Sequence, residues 1–272
     1  VLYRYVFAIK PKNAVVAAPC FAEYEAALEC VGAKVEYYQI NHNTFEIEDD
    51  FMQMFEYKPD MIFLCNPNNP TGILINDRLL ERIIKECDRN GVRIFLDECF
   101  LDFVKEPEEY SLKHSLSGFN NLFILKAFTK RYAMAGVRLG YGLCSDRKLM
   151  ERMELCVQPW NVSTMAQAAG LQALTETEYV EEGRQLVFRE AQWLKDELAR
   201  IGYKVFPSEA NYIFFKGPEE LFDFCLRKRI LIRDCSNYPG LTKGYYRIAV
   251  KRHEENVKLI EVLEGGILWQ KQ

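Results

Sequence analysis

From Ala14 to Cys144 the chain repeats one pattern, a short apolar run followed by a polar loop or a longer stretch with helical spacing. The apolar runs are AVVAAP from Ala14, KVEYYQI from Lys34, MIFLC from Met61, VRIFLDE from Val92, NLFILKAF from Asn121 and VRLGYGLC from Val137. Runs this short fit strands, and the helical patterns at residues 21–31, 47–57 and 77–90 are long enough to cross back over a sheet. Crossovers of that kind make neighbouring strands parallel and bury both faces of the sheet. The predicted fold class is therefore α/β, a mainly parallel sheet sandwiched by helices.

After Cys156 the pattern changes. STMAQAAGLQALTE and the long mixed run at 176–201 read as helices, and the second is long enough to bridge two bodies. YKVFPS, ANYIFFKG, a helix at 219–228, ILIRD, YYRIAV and a last helix at 254–263 complete an α+β layout. The expected organisation is a large domain over residues 1–175 and a smaller C-terminal domain over 176–272. VLYRYVFAIKP reads as the last turns of a helix ending before Pro11, so the expectation is that an upstream part of the large domain is missing.

Composition narrows the function classes. A net charge of −4 with dispersed Lys and Arg offers no electrostatic footprint for nucleic acid or an anionic membrane. No apolar run approaches the length of a membrane span and no leader pattern is present, so a soluble, cytoplasmic protein is expected. The nine cysteines include no C-x-x-C pair and are read as reduced, and the three histidines are too scattered to complete a metal site.

In open α/β sheets ligands bind beyond the carboxyl ends of the strands, so polar residues that directly follow apolar runs are the ones to inspect. Four places qualify: Pro19 to Phe21, Asn66 to Gly72, Asp97 to Phe100, and Thr129-Lys130 with Arg138. The second is CNPNNPTG, which leaves an apolar strand through three amides and two prolines. Asn and Pro are ordinary turn residues, so alone it reads equally as a strand-to-helix loop. Four such places in succession point to a shared pocket.

NNPTG (68–72), LDECF (96–100), FTKRYAMAGVRLGY (128–141) and YYRIAV (245–250) together resemble the pyridoxal-phosphate enzymes of the aspartate aminotransferase fold type. The resemblance covers nearly the whole chain, and it implies a role for each candidate. Lys130 resembles the Schiff-base lysine. Lys126 competes by residue type, but only Lys130 stands eight positions before Arg138 as the family pattern requires. Such a lysine needs a pocket that disfavours its charge. Arg138 would pair with the cofactor phosphate and Thr129 would add a hydroxyl. Ala127 stands where the family often has Ser or Thr, which removes one phosphate contact. Asp97 would hold the pyridine nitrogen protonated, whereas a purely structural buried Asp would need an Arg or Lys beside it. Asn69 resembles the asparagine that donates to the ring's 3′-oxygen. Phe21 sits where an aromatic stacks on the ring, or it is an ordinary core residue. Arg247 resembles the arginine that takes a substrate carboxylate, and Arg233 is a second anion ligand. Two arginines suit a substrate with two anionic groups; either alone would also fit a surface ion pair.

Many members carry Tyr where this chain has Phe100, which has no hydroxyl to donate. That departure, with ILIRDCSNYPGL and YYRIAVK, resembles the threonine-phosphate decarboxylases of cobalamin biosynthesis, relatives of the histidinol-phosphate aminotransferases. The resemblance implies decarboxylation of L-threonine O-3-phosphate, with histidinol-phosphate transamination as the alternative and a homodimer as the assembly. A third reading, a non-catalytic remnant of the fold, follows if the upstream segment is truly absent.

Overall fold

The computed structural model describes the backbone of residues 1–270 and the side chains of residues 1–266. Ten strands form two sheets: β1 (Asn13–Ala18), β2 (Lys34–Gln39), β3 (Met61–Cys65), β4 (Arg93–Asp97), β5 (Leu122–Ala127), β6 (Gly140–Cys144), β7 (Lys204–Val205), β8 (Tyr212–Lys216), β9 (Arg233–Asp234) and β10 (Tyr245–Ala249). The first six make one sheet in the order β2-β1-β3-β4-β5-β6. All of its pairings are parallel except β5 with β6, which is antiparallel. The sheet is α/β as the alternating pattern implies. Its edge strand reverses because the chain from Phe128 to Leu139 turns back beside β5 without crossing the sheet, the Phe128 amide bonding the Leu139 carbonyl.

Period-two alternation divides the buried strand residues between two cores. Ile62, Leu64, Ile94, Leu96 and Ile124 pack on helix Asp77–Arg89 through Leu80, Ile83 and Ile84. Met61, Phe63, Phe95 and Phe123 face the other way onto Tyr5, Val6, Tyr24, Leu28, Leu149 and Met153. The latter come from helices Leu2–Ile9, Glu23–Glu29 and Arg147–Leu155. Several elements differ from expectation, two of them beside the cores. Residues 49–57 form a 3₁₀ helix, and helix Arg147–Leu155 was not anticipated. Its start is nevertheless encoded, since the Asp146 carboxylate accepts from the Leu149 amide as an N-cap.

Helix Thr177–Arg200 separates the first sheet from the second in sequence. The second sheet is antiparallel in the order β7-β8-β10-β9, and its Ile213, Phe215, Tyr246 and Ile248 pack on Leu194 and Leu198 of that helix and on Ile260 and Leu263 of helix His253–Gln270. The two bodies share apolar contact: Phe45 lies edge-on to Phe206, Phe214 and Tyr245, with ring centroids 4.8, 5.0 and 5.6 Å away.

Candidate active site

Strands β1, β3, β4 and β5 are parallel neighbours, so the four polar stretches picked from sequence emerge side by side at one edge of the sheet. Hydrogen bonds join them. The Asn66 amide donates to the Asp97 carbonyl (2.9 Å), and the Asn68 side chain donates to the Pro19 carbonyl (3.0 Å) and to Thr71 Oγ1 (3.1 Å). The CNPNNPTG turn is thus fixed by its own amides. Ile75 N donates to Asn66 Oδ1 (2.9 Å), Gly72 N donates to the Asn68 carbonyl (2.6 Å), and the peptide bonds before Pro67 and Pro70 are cis.

Asp97 ends β4 and is 7% exposed. Its Oδ2 accepts from the Tyr24 hydroxyl at 2.6 Å and its Oδ1 from the Cys99 amide at 2.9 Å. No Arg or Lys forms an ion pair with it among the described residues, so the cation that a purely structural buried Asp requires is not there. Burial, and then the charge of Asp97, push the Tyr24 phenol well above its ordinary pKa, which keeps Tyr24 a donor. The same two causes raise the Cys99 thiol. Tyr24 is a site residue that sequence reasoning missed; the signal was a second aromatic one helical turn after Phe21. Phe21 itself is 39% exposed and meets Tyr24 edge-on at 5.7 Å, so it is not an ordinary core residue.

The two candidate lysines are told apart by their partners. Lys126 is buried, and its Nζ lies 2.9 Å from Glu98 Oε2, a carboxylate that also accepts from Ser111 Oγ and the Leu112 amide. Lys130 is exposed, makes no ion pair among the described residues, and holds its Nζ 5.3 Å from the centre of the Phe100 ring. It lines a cleft of about 860 Å3 together with Phe100, Tyr212, Arg233 and Arg247. The two arginines are directly paired across β10 and β9. Arg247 Nη1 donates to Asn69 Oδ1 (2.5 Å), which leaves the Asn69 amide nitrogen uncommitted. Arg233 donates to Asn237 Oδ1 (2.9 Å). Neither arginine forms a surface ion pair among the described residues.

Thr129 and Arg138 do not line this cleft. Thr129 lies in the short helix Phe128–Arg131 after β5, while Arg138 is exposed, takes a left-handed φ of 58°, and donates to the Ala135 carbonyl (3.0 Å). The donor set suits pyridoxal phosphate. It offers a buried carboxylate without a cation, an amide with a free N–H, and a lysine with no carboxylate partner.

The sequence profile for aminotransferase class I and II matches residues 4–263. The chain belongs to that family. A threonine-phosphate decarboxylase of Salmonella typhimurium is 34% identical over 94% of this chain and 71% of its own length. A histidinol-phosphate aminotransferase of Methanococcus aeolicus is 29% identical over 94% and 69%. Among solved structures of this aminotransferase family, the histidinol-phosphate aminotransferase of Clostridium acetobutylicum superposes with a TM-score of 0.92, at 29% identity over 97% of this chain and 81% of that one. The L-threonine-O-3-phosphate decarboxylase of Porphyromonas gingivalis gives 0.84, at 28% identity over 98% and 80%.

Proposed function

We propose that this chain is a pyridoxal-phosphate enzyme that decarboxylates a phosphorylated amino acid, L-threonine O-3-phosphate, to aminopropanol phosphate. The observation that carries the reading is the cleft itself, in which Lys130 and Phe100 share a space with two arginines in register. A carboxylate and a phosphate on one small molecule match that pair, because each guanidinium forks onto an oxyanion. In this reading the division of labour is a cofactor-binding domain over 1–175 and a substrate-arginine domain over 176–272, working as a homodimer in the cytoplasm.

When bound, the cofactor supplies an electron sink for the charge left on the substrate Cα as a bond to that carbon breaks. The chain's own residues do the rest. Asp97, fixed by Tyr24 and the Cys99 amide, would be the partner of the ring nitrogen. The amide nitrogen of Asn69 would donate to the ring oxygen, while its carbonyl holds Arg247. Thr129 and Arg138 would hold the phosphate end, without the hydroxyl that Ala127 lacks. Arg247 takes the substrate carboxylate and Arg233 the phosphate. As CO2 leaves, the electron pair of the broken C–C bond stays with Cα, and Lys130 Nζ delivers the proton that replaces it. Phe100 and Tyr212 present ring carbon to this space and limit water.

The likeness to histidinol-phosphate aminotransferases, with a TM-score of 0.92 for one of them, favours a second reading in which the Cα proton leaves instead of CO2. The first test is absorbance of the protein with added pyridoxal phosphate, before and after borohydride, in wild type and Lys130→Ala. A visible band trapped onto Lys130 in wild type and lost in the variant supports the site; no band in wild type overturns it. With L-threonine O-phosphate, release of CO2 without a keto acid supports decarboxylation. Formation of glutamate from histidinol phosphate and 2-oxoglutarate overturns it for transamination.

A further inference from the structure

Tyr212 of the second sheet carries the Arg247 guanidinium on its ring and packs against Phe100, the ring that carries Lys130 Nζ. It is 4% exposed, and the Arg247 guanidinium carbon lies 5.0 Å from the centre of its ring. Phe100 meets the same ring edge to face, with centroids 5.0 Å apart at 90°, and Phe100 in turn carries Lys130 Nζ on its own face. The Tyr212 hydroxyl donates to the Asn68 carbonyl at 2.7 Å, and so pins β8 to the turn that presents Asn69.

Sheet register explains why this ring can hold that arginine. Directly across the β8–β10 ladder Arg247 faces Phe214, and Tyr212 faces Ala249. The methyl of Ala249 leaves the face of the Tyr212 ring uncovered, so the guanidinium two residues along can lie on it as a diagonal cross-strand pair. With its face on Tyr212 and Nη1 bonded to Asn69, Arg247 keeps its remaining N–H groups free of any hydrogen bond to the described residues. Arginine has rotamer freedom to lose when it binds an anion, and a ring under its plane removes much of that freedom in advance.

We propose that Tyr212 is the positioning residue for Arg247. Its ring fixes the plane in which the guanidinium meets a carboxylate on the reacting carbon, and so selects carboxylated over carboxylate-free phosphoamines. The inference deepens the reading above and rests on it for the identity of the substrate alone.

The experiment compares wild type with Tyr212→Phe, Tyr212→Leu and, as a second aliphatic variant if Tyr212→Leu does not fold, Tyr212→Met. Two readouts are taken. The first is the rate at which phenylglyoxal labels Arg247, followed by peptide mass, which needs no substrate. The second is calorimetric affinity for L-threonine O-phosphate and for the amine of the same skeleton lacking the carboxylate. The expected result for an aliphatic variant is labelling at least five-fold faster, a loss of at least five-fold in affinity for the carboxylated ligand, and a change within two-fold for the other. Tyr212→Phe restores both readouts to within two-fold of wild type. Unchanged labelling in the aliphatic variants overturns the proposal. So does a Phe variant as impaired as the aliphatic ones, which would put the hold in the hydroxyl bond to Asn68. If wild type binds neither ligand, the reading of the substrate falls, and the labelling rates alone still decide the role of Tyr212.

Discussion

Asp97 shows how a single residue separates a stabilising group from a reactive one. A carboxylate buried without a cation is costly, and here two donors, a phenol and an amide, offset part of that cost. Tyr24→Phe removes the stronger donor while keeping the ring stack on Phe63, whose centroid lies 5.4 Å away. We expect it to lower stability by about 1–3 kcal/mol in urea melts and to weaken pyridoxal-phosphate binding measured by absorbance titration. Gly72 is the second such residue. Its φ is +75°, and a Cβ there would sit 1.9 Å from Ser208 Oγ and 2.7 Å from Ser208 Cβ. Gly72→Ala should cost roughly 1–3 kcal/mol. Ser208→Gly on that background should recover part of the loss, the left-handed backbone strain remaining. No loss in Gly72→Ala, or no recovery on adding Ser208→Gly, would refute the clash; a full recovery would refute the strain. Asp97, Asn69, Lys130 and the paired arginines were legible in sequence because each belongs to a short fixed-spacing motif. Tyr24 and Tyr212 were not, because their importance comes from what the fold sets beside them: the Asp97 carboxylate in one case, the Arg247 plane in the other.

Elements carry their own charge logic. Lys126 and Lys130 lie four positions apart, yet one ends up in the sheet and the other in the helix after it. Lys126 faces a carboxylate with no exposed side-chain surface, so Lys126→Met leaves Glu98 buried and uncompensated. A loss of about 3–5 kcal/mol is expected, against little change for Lys130→Ala, which leaves no such charge behind; equilibrium unfolding of both variants checks the contrast. Asp146 ties the start of helix Arg147–Leu155 to β4 through Arg93 Nη2 at 2.8 Å. Burial pushes its pKa up, but the bonds from Arg93 and the Leu149 amide outweigh that and leave it lowered. A lowered carboxylate stabilises the fold above its unfolded value of about 3.9, and that contribution is lost as pH falls through the still lower folded value. Asp146→Asn keeps a cap and removes the charge. It should therefore be less stable than wild type by about 1 kcal/mol at pH 7, and the gap should narrow as pH falls below about 3.9. A gap that stays constant as pH falls below about 3.9 would rule out the charge as its cause. The helix itself escaped sequence reading because RKLMERMEL shows only two buried positions, Leu149 and Met153, too few to stand out as a periodic stripe.

At the scale of the molecule, alternation of apolar runs was enough to foresee the parallel sheet, since period and spacing are properties of the chain alone. The join between the two sheets was not foreseeable. Phe45, Gly72 and Asn68 reach Phe214, Ser208 and Tyr212 across more than a hundred residues, and local pattern carries no sign of such contacts. The surface bears the remaining large-scale signal. Among the described residues, more than half of the exposed large apolar side chains fall between Tyr141 and Tyr179, among them Leu155 at 87%, Trp160 at 95%, Met165 at 81% and Leu171 at 71% exposed. Where such side chains adjoin on the surface they are costly to leave in water and would suit an interaction face. The proposed homodimer would cover it, because a two-fold interface needs one self-complementary patch on each copy. Sedimentation or light scattering should then give twice the chain mass of 31.8 kDa for wild type. Trp160→Asp combined with Met165→Asp places two charges where that interface would bury them, and should give a monomer with an unchanged far-ultraviolet spectrum. A wild-type monomer at micromolar concentration would remove the dimer from the proposal and leave this face for a different partner, while the cleft residues of one chain would stand as described.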